Sequence, residues 1–280
     1  MAGRKRGDQA GNDCLDKYLS QNPILIDARS AFVSDVHLSE LDPSTAQRFV
    51  TSIAACKGLI SGLFILGDLF DAWVGDDAVD SPAMGALARS VFALFESLEC
   101  PIYFCAGNRD FLIGVGSNGI RHRQAHGMQL LDEQTITTFA AANGKTFQLM
   151  LCHGDEFCLD DTDYQEKRPM LRGLAWQKVF LSGSLQERQE QAALIRAQSQ
   201  QAKEQKSMEI MDVSTAAIER TFSESKISLL IHGHTHRPQQ HQYHNPNATR
   251  VVLSDWDGKA QRGAVYFLSR DIIDRYAAAG

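Results

Sequence analysis

The sequence predicts an α/β protein on three observations. In the first half, short apolar runs that end in polar motifs alternate with segments of helical period, as layered α/β domains require. After Met128 the pattern changes to short strand candidates, and between residues 161 and 225 it becomes helical throughout. A strand lies within residues 24–34 and ends at Asp35. Pro43-Ser44-Thr45 opens a helix to residue 57, with Phe49, Ile53 and Ala54 at helical spacing, and residues 63–66 are the next buried strand. A helix over 82–98 carries Met84, Leu87, Val91, Leu94, Phe95 and Leu98 on one face and leads to a strand at 102–105. Segments 128–131, 135–140 and 146–152 read as strands of a second sheet, with Asn143-Gly144 as a hairpin turn. Strands return at 227–231, 250–253 and 264–268. The division is a polar N-terminal extension (1–30), a core (31–160 and 226–270) and a helical cap insertion (161–225), in which the Gln-rich piece at 185–206 is a solvated helix face.

The chain has 280 residues, 44% hydrophobic and 22% charged, enough apolar material for a large core and unlike a disordered chain. A net charge of −6 provides no global positive field, which excludes a nonspecific nucleic-acid binder. No run approaches the roughly 18 apolar residues of a spanning helix. Behind Arg4, Lys5 and Arg6 stand Gly7, Asp8 and Gln9, where a signal peptide would place an apolar block. Cys14, Cys56, Cys100, Cys105, Cys152 and Cys158 are dispersed as in a reduced, cytosolic protein.

Five motifs stand at the ends of apolar strands: Ser34-Asp35-Val36-His37, Gly67-Asp68-Leu69-Phe70-Asp71, Gly107-Asn108-Arg109-Asp110, Cys152-His153-Gly154-Asp155 and Gly233-His234-Thr235-His236. Between them they hold oxygen and nitrogen donors for metal. In extended backbone, residues i and i+2 point the same way, so Asp35 joins His37 and His234 joins His236 in one coordination sphere. Any one motif alone is weak; five in this order are specific. His122, His126, His232, His241 and His244 are read as surface or packing residues, although His232 shares parity with His234 and His236.

This set resembles the calcineurin-like metallophosphoesterases, whose pattern is Asp-x-His, Gly-Asp-x-x-Asp, Gly-Asn-His, a separate His, and Gly-His-x-His. The resemblance implies a four-layer α-β-β-α sandwich of two mixed sheets with the site at the strand ends. It also implies two divalent ions, one on Asp35, His37, Asp68 and His236 and the other on Asp68, Asn108, His153 and His234, with Asp68 bridging. Such a pair activates a shared water and clamps the phosphoryl oxygens during in-line attack. Carboxylate and imidazole ligands without thiolate suit Mn²⁺ or a similar ion. Cys152 and Cys158 beside His153 offer a rival zinc reading, but no Cys-x-x-Cys pair exists.

The pattern departs from the family at Arg109, where a His usually assists the leaving group. A departing phosphate monoester has a second pKa near 6 and gains more from a fixed positive charge than from a proton, which favours cleavage of a pyrophosphate bond. The longer strings at 67–77, 107–114, 153–165, 210–213 and 232–238 resemble the branch of the family that acts in lipid A biosynthesis. This implies water attack on the α-phosphorus of UDP-2,3-diacylglucosamine at the cytoplasmic face of the inner membrane. Asn108, Asp68 and Arg109 are the catalytic residues so implied. The implied substrate contacts are Asn108, Arg109 and His234, then Asp161 for the glucosamine, and Ser199, Lys203 and Lys206 for sugar and phosphates. Asp161 would equally serve as a helix N-cap. Residues 165–206 carry eight basic and four acidic residues, a basic surplus that suits anionic head groups. Met170, Leu171, Leu174, Trp176, Val179, Phe180 and Leu181 add apolar surface for acyl chains or a membrane interface, or else pack as ordinary helix faces. The alternative is a phosphoesterase or nucleotide pyrophosphatase for a water-soluble substrate. No obligate protein partner is implied.

Overall fold

The computed structural model describes residues 24–205, 212–244 and 246–277. Most of the N-terminal extension and Lys206 therefore lie outside the described residues. In chain order the elements are β1 (Leu25–Ile26), β2 (Ser30–Val33), α1 (Pro43–Ala54), β3 (Gly62–Leu66), α2 (Ala83–Ser97), β4 (Ile102–Cys105), β5 (Gln124–Ala125), β6 (Met128–Leu130), β7 (Gln134–Ala140) and β8 (Thr146–Cys152). There follow α3 (Thr162–Arg172), α4 (Leu174–Leu181), α5 (Leu185–Gln205), α6 (Thr215–Ser225), β9 (Leu229–His232), β10 (Gln239–His244), β11 (Asn247–Val252), β12 (Tyr266–Phe267) and α7 (Arg270–Ala277).

Two six-stranded mixed sheets result, ordered β12-β2-β3-β4-β6-β5 and β1-β7-β8-β9-β11-β10. The strand expected over 24–34 is split by a turn in which the Asp27 carboxylate accepts from Arg29 N at 2.8 Å, so that β1 joins the second sheet while β2 joins the first. β2, β3, β4 and β6 run parallel, as do β8, β9 and β11, so their C-terminal ends gather along one edge of each sheet.

The period-2 alternation of each strand sorts its side chains into layers. Phe32, Phe64 and Leu66 face Phe139, Leu149, Leu151, Leu229, Ile231 and Val251 in a core between the sheets. The alternate residues Ala31, Val33, Leu63 and Ile65 meet Phe49 and Ile53 of α1 and Val91 and Phe95 of α2 on the first sheet's outer face. On the second sheet, Met150, Cys152, Leu230 and Ala248 meet Ile218 and Phe222 of α6. The protein is thus an α-β-β-α sandwich.

Capping fixes where helices begin. α1 starts at Asp42, which accepts from Thr45 N at 3.2 Å with Pro43 in the first turn; α3 starts at Asp161, which accepts from Tyr164 N at 3.3 Å. α3 to α5 lie beside the strand-end edge and are fastened by arginines. Arg168 Nε reaches Asp155 Oδ2 at 2.7 Å, and Arg172 donates to Gly107 O at 3.0 Å and pairs with Glu133 at 3.1 Å. Buried Arg188 pairs with Asp77, and Arg196 with Asp71.

Candidate metal centre

Each motif occupies the turn that follows a strand. After β2 come Asp35 and His37, after β3 Asp68, after β4 Asn108 and Arg109, after β8 His153, and after β9 His234 and His236. Because the strands are parallel neighbours, these turns converge. Asp35 and Asp68 are buried, His153 is buried, and His37 and His236 keep partial access to solvent.

The turns are not extended. Asp35, His37, Asp68, His234 and His236 all have positive φ, between 51° and 67°. The left-handed region is uncommon for residues other than Gly, and its clustering here is the kind of local strain that binding sites retain. Asp35 and His37 therefore face each other through alternating left-handed residues rather than a pleat. Gly67 (φ 85°) and Gly107 are required for space, since a Cβ would strike the His153 ring at the first and the Asp68 carboxylate at the second.

Two clusters have donor atoms within 4.8 Å of one another: Asp35, His37 and His236, and Asp35, Asp68 and His153. His37 Nε2 stands 3.3 Å from His236 Nε2 and 3.9 Å from Asp68 Oδ2. His153 Nε2 stands 3.6 Å from Asp68 Oδ2 and 3.1 Å from Asn108 Oδ1. His234 joins neither cluster; its ring stands edge-on to His153 at 5.0 Å between centroids, while its backbone N–H donates to Asp35 Oδ2 at 2.8 Å. Arg109 N–H donates to Asp68 Oδ1 at 2.8 Å. His232 turns away into its own strand, buried, with Nδ1 2.9 Å from Gly233 O and Nε2 3.4 Å from Arg250. Asp161 is the α3 N-cap, Ser199 and Lys203 lie on α5, and Lys206 lies outside the described residues.

The electrostatics are those of a cation site. Burial alone would raise the Asp35 pKa, yet the imidazoles of His236, His153 and His37 hold it well below the carboxylate range. Burial pulls His37 down to about 4. His153 is carried the other way, to about 9, because the Asp68 and Asp35 carboxylates outweigh its burial. Asp35 Oδ1 is buried and has no hydrogen-bond partner, with His236 Nε2 3.4 Å away. A buried, ionised oxygen left in that state is costly, and imidazole nitrogens turned toward it offer lone pairs rather than protons once a cation lies between them. Two carboxylates and several imidazoles without thiolate fit divalent cations that accept mixed oxygen and nitrogen ligands. No comparable groups of three or more His, Cys, Asp or Glu residues occur elsewhere among the described residues.

Two residues that hold this site were not singled out by sequence reasoning. Asp110, fully buried, accepts from the backbone N–H groups of Gly107 (2.9 Å), Asp68 (3.2 Å), Leu69 (2.6 Å) and Phe70 (3.4 Å), tying the turn after β4 to the turn after β3. Asp255 lies 3.4 Å from His236 Nδ1. Asp110 was visible in its motif without a role, whereas Asp255 lies outside every motif.

Fold and site together define a metal-dependent phosphoesterase, and the comparison with known sequences places it: the calcineurin-like phosphoesterase model matches residues 28–238, and the chain belongs to that family. Among curated proteins it is 37% identical over 264 residues to UDP-2,3-diacylglucosamine hydrolase of Bordetella pertussis, covering 92% of this chain and 95% of that one. The protein of the same name from Haemophilus influenzae is 41% identical over 228 residues, 81% of this chain and 90% of that one. Vacuolar protein sorting 29 of Cryptosporidium parvum superposes with a TM-score of 0.39 at 11% identity, over 81% of this chain and 73% of that one.

Proposed function

We propose that this chain hydrolyses the pyrophosphate bond of UDP-2,3-diacylglucosamine, releasing UMP and 2,3-diacylglucosamine 1-phosphate in lipid A biosynthesis. One observation carries this reading: relatives bearing that hydrolase name match nine-tenths of the chain, through every turn that builds the site.

In this reading Asp35, His37, Asp68 and His236 hold one divalent cation, and Asp68, Asn108, His153 and His234 the other, with Mn²⁺ the ion their chemistry suits. A bound pair of such ions supplies a nucleophilic water at neutral pH and neutralises phosphoryl oxygens. The chain's own groups do the rest. Asn108, whose Oδ1 is 3.1 Å from His153 Nε2, orients the phosphoryl group; Arg109 places a permanent positive charge where the departing sugar phosphate gains negative charge. Asp161, Ser199, Lys203, Lys206 and His234 contact sugar and phosphates. Within the 161–225 insertion, α3 to α5 form the cap over the substrate. Exposed Met170, Leu174 and Val179 sit near Lys167 and Lys178, apolar and basic together, which supports peripheral docking on the cytoplasmic face of the inner membrane. Among the described residues no helix is long and apolar enough to cross a membrane.

Phosphorus NMR of products formed from UDP-2,3-diacylglucosamine with Mn²⁺ in ¹⁸O-labelled water tests the reading. Label in UMP is expected. Label in the lipid phosphate would reverse the substrate orientation, and cleavage only of water-soluble diphosphates would replace the proposed substrate.

A further inference from the structure

The two cation clusters are buttressed differently. His153 turns its Nδ1 to a neutral acceptor, the Leu66 carbonyl at 2.9 Å. His236 turns its Nδ1 to a carboxylate, Asp255 Oδ2 at 3.4 Å, while its Nε2 points inward to Asp35 Oδ1 at 3.4 Å and His37 Nε2 at 3.3 Å. His236 is 40% exposed, so packing alone does not fix its ring. Asp255 is only 5% exposed and is gripped by both arms of one guanidinium: Arg262 Nε to Oδ1 at 2.8 Å and Nη2 to Oδ2 at 2.8 Å.

The segment that carries this pair is itself pinned. Leu253 N donates to His232 O at 2.8 Å and Trp256 N to Asp35 O at 3.1 Å, joining the stretch after β11 to the ends of β9 and β2. Asp257 and Arg262 exchange backbone hydrogen bonds at 3.1 and 2.9 Å, closing the loop between them. Gly258 N donates to Thr45 Oγ1 at 2.9 Å, and the Trp256 ring stands edge-on to Phe49 at 5.2 Å. Arg262 therefore reaches Asp255 from a loop tied to the ends of β9 and β2 and to Thr45.

We propose that Asp255 and Arg262 are a positioning relay for the metal centre: Arg262 locks the Asp255 carboxylate, and Asp255 fixes the His236 imidazole with its Nε2 lone pair directed at the cation of the Asp35, His37 and His236 cluster. The relay rests on the metal-centre reading above. A carboxylate against Nδ1 keeps the proton there and makes Nε2 the stronger donor, the usual arrangement for a histidine that ligates metal. The site served by His236 therefore depends on the loop after β11, and the site served by His153 does not.

The test uses the full chain, stripped of metal, as wild type and as Asp255→Asn, Arg262→Ala, Arg262→Lys and Arg270→Ala. Mn²⁺ binding is measured by calorimetry, and kcat and KM are measured at limiting and at excess Mn²⁺. Asp255→Asn is expected to weaken one of two Mn²⁺ equilibria by about 10- to 100-fold and leave the other unchanged. Its kcat should fall at limiting Mn²⁺ and recover at excess, with KM for the nucleotide sugar unmoved. Arg262→Ala should move the same equilibrium less, Arg262→Lys less still, and Arg270→Ala, an exposed i,i+4 pair with Asp274, not at all. Wild-type affinity at both sites in Asp255→Asn, or in Arg262→Ala should the former not fold, overturns the relay while leaving the metal centre intact. A wild-type chain that binds no Mn²⁺ overturns the metal-centre reading itself.

Discussion

Asp110 is the residue on which the geometry of the turns depends. Its carboxylate satisfies four backbone N–H groups from two separate strand ends, and burial with the Asp68 charge pushes its pKa up to about 7 against the pull of those amides. Asp110→Ala orphans buried donors, each costing about 1–3 kcal/mol, so a loss of at least about 3 kcal/mol is expected in urea unfolding. A loss below about 1 kcal/mol would mean that water replaces the carboxylate. Asn108 and Arg109, two and one positions earlier, should behave in the opposite way. Asn108→Ala is expected to abolish turnover, and Arg109→Ala to lower kcat by about 10²- to 10³-fold, with the unfolding midpoint nearly unchanged. Arg109 would keep its backbone bond to Asp68 in that variant, because the contact is made by N–H and not by the guanidinium. Unchanged kcat in either would remove these residues from the reaction. At this scale the donor residues that the structure gathers into two clusters, Asp35, His37, Asp68, His153 and His236, were legible in the sequence, because chemistry restricts which side chains bind cations. The left-handed backbone at Asp35, His37, Asp68, His234 and His236 was not, since nothing in a string of residues separates a pleated i, i+2 pair from one formed by two reversed residues.

Among the elements, those with long apolar periodicity were read to within a few residues. The helix expected at 43–57 spans Pro43–Ala54, and that expected at 82–98 spans Ala83–Ser97. β10 was missed because Gln239-Gln240-His241-Gln242-Tyr243-His244 shows no apolar alternation; it pairs with β11 at the sheet edge, where burial imposes no pattern. β12 has two residues and is defined by its antiparallel pairing with β2 rather than by its own sequence. The start of α1 offers a test by pH. Hydrogen bonds from Ser44 and Thr45 hold the Asp42 pKa down to about 2. The unfolded value is about 3.9, so the cap's contribution is fully present above that pH and is lost as pH falls through about 2. Asp42→Ala should cost about 1 kcal/mol at pH 7. The gap from wild type, followed by chemical denaturation between pH 7 and pH 3, should narrow as the carboxylate protonates. A gap that stays constant would assign the cost to something other than the ionised cap. On the opposite side of the molecule Phe222 is buried where α6 meets Met150 and Leu230. Phe222→Ala there should cost about 3–5 kcal/mol.

For the whole molecule, the layers follow from alternation on parallel strands, but the placement of β1 in the second sheet follows from one turn at Asp27 that no periodicity announces. The same scale changes the meaning of the basic surplus in residues 165–206. Arg168, Arg172, Arg188 and Arg196 are spent on Asp155, Glu133, Asp77 and Asp71, fastening α3 and α5 to the core, so half of the eight basic residues are already paired. In the proposed docking, charge alone is then a weak reason for this face to meet an anionic surface, and the apolar residues would supply most of the attraction. Leu174 is 57% exposed and Val179 73% exposed, both on α4, and Met170 in the last turn of α3 is exposed as well. Burying such a side chain gains about 1.5–3 kcal/mol, and each 1.4 kcal/mol is about tenfold in affinity. Leu174→Glu with Val179→Glu should therefore weaken co-sedimentation with vesicles of phosphatidylethanolamine and phosphatidylglycerol by tenfold or more. Raising the salt concentration should weaken the wild type much less, because screening acts on charge and not on apolar burial. If the double variant sediments like wild type while salt releases both, the contact is made by charge and α4 is not the docking face.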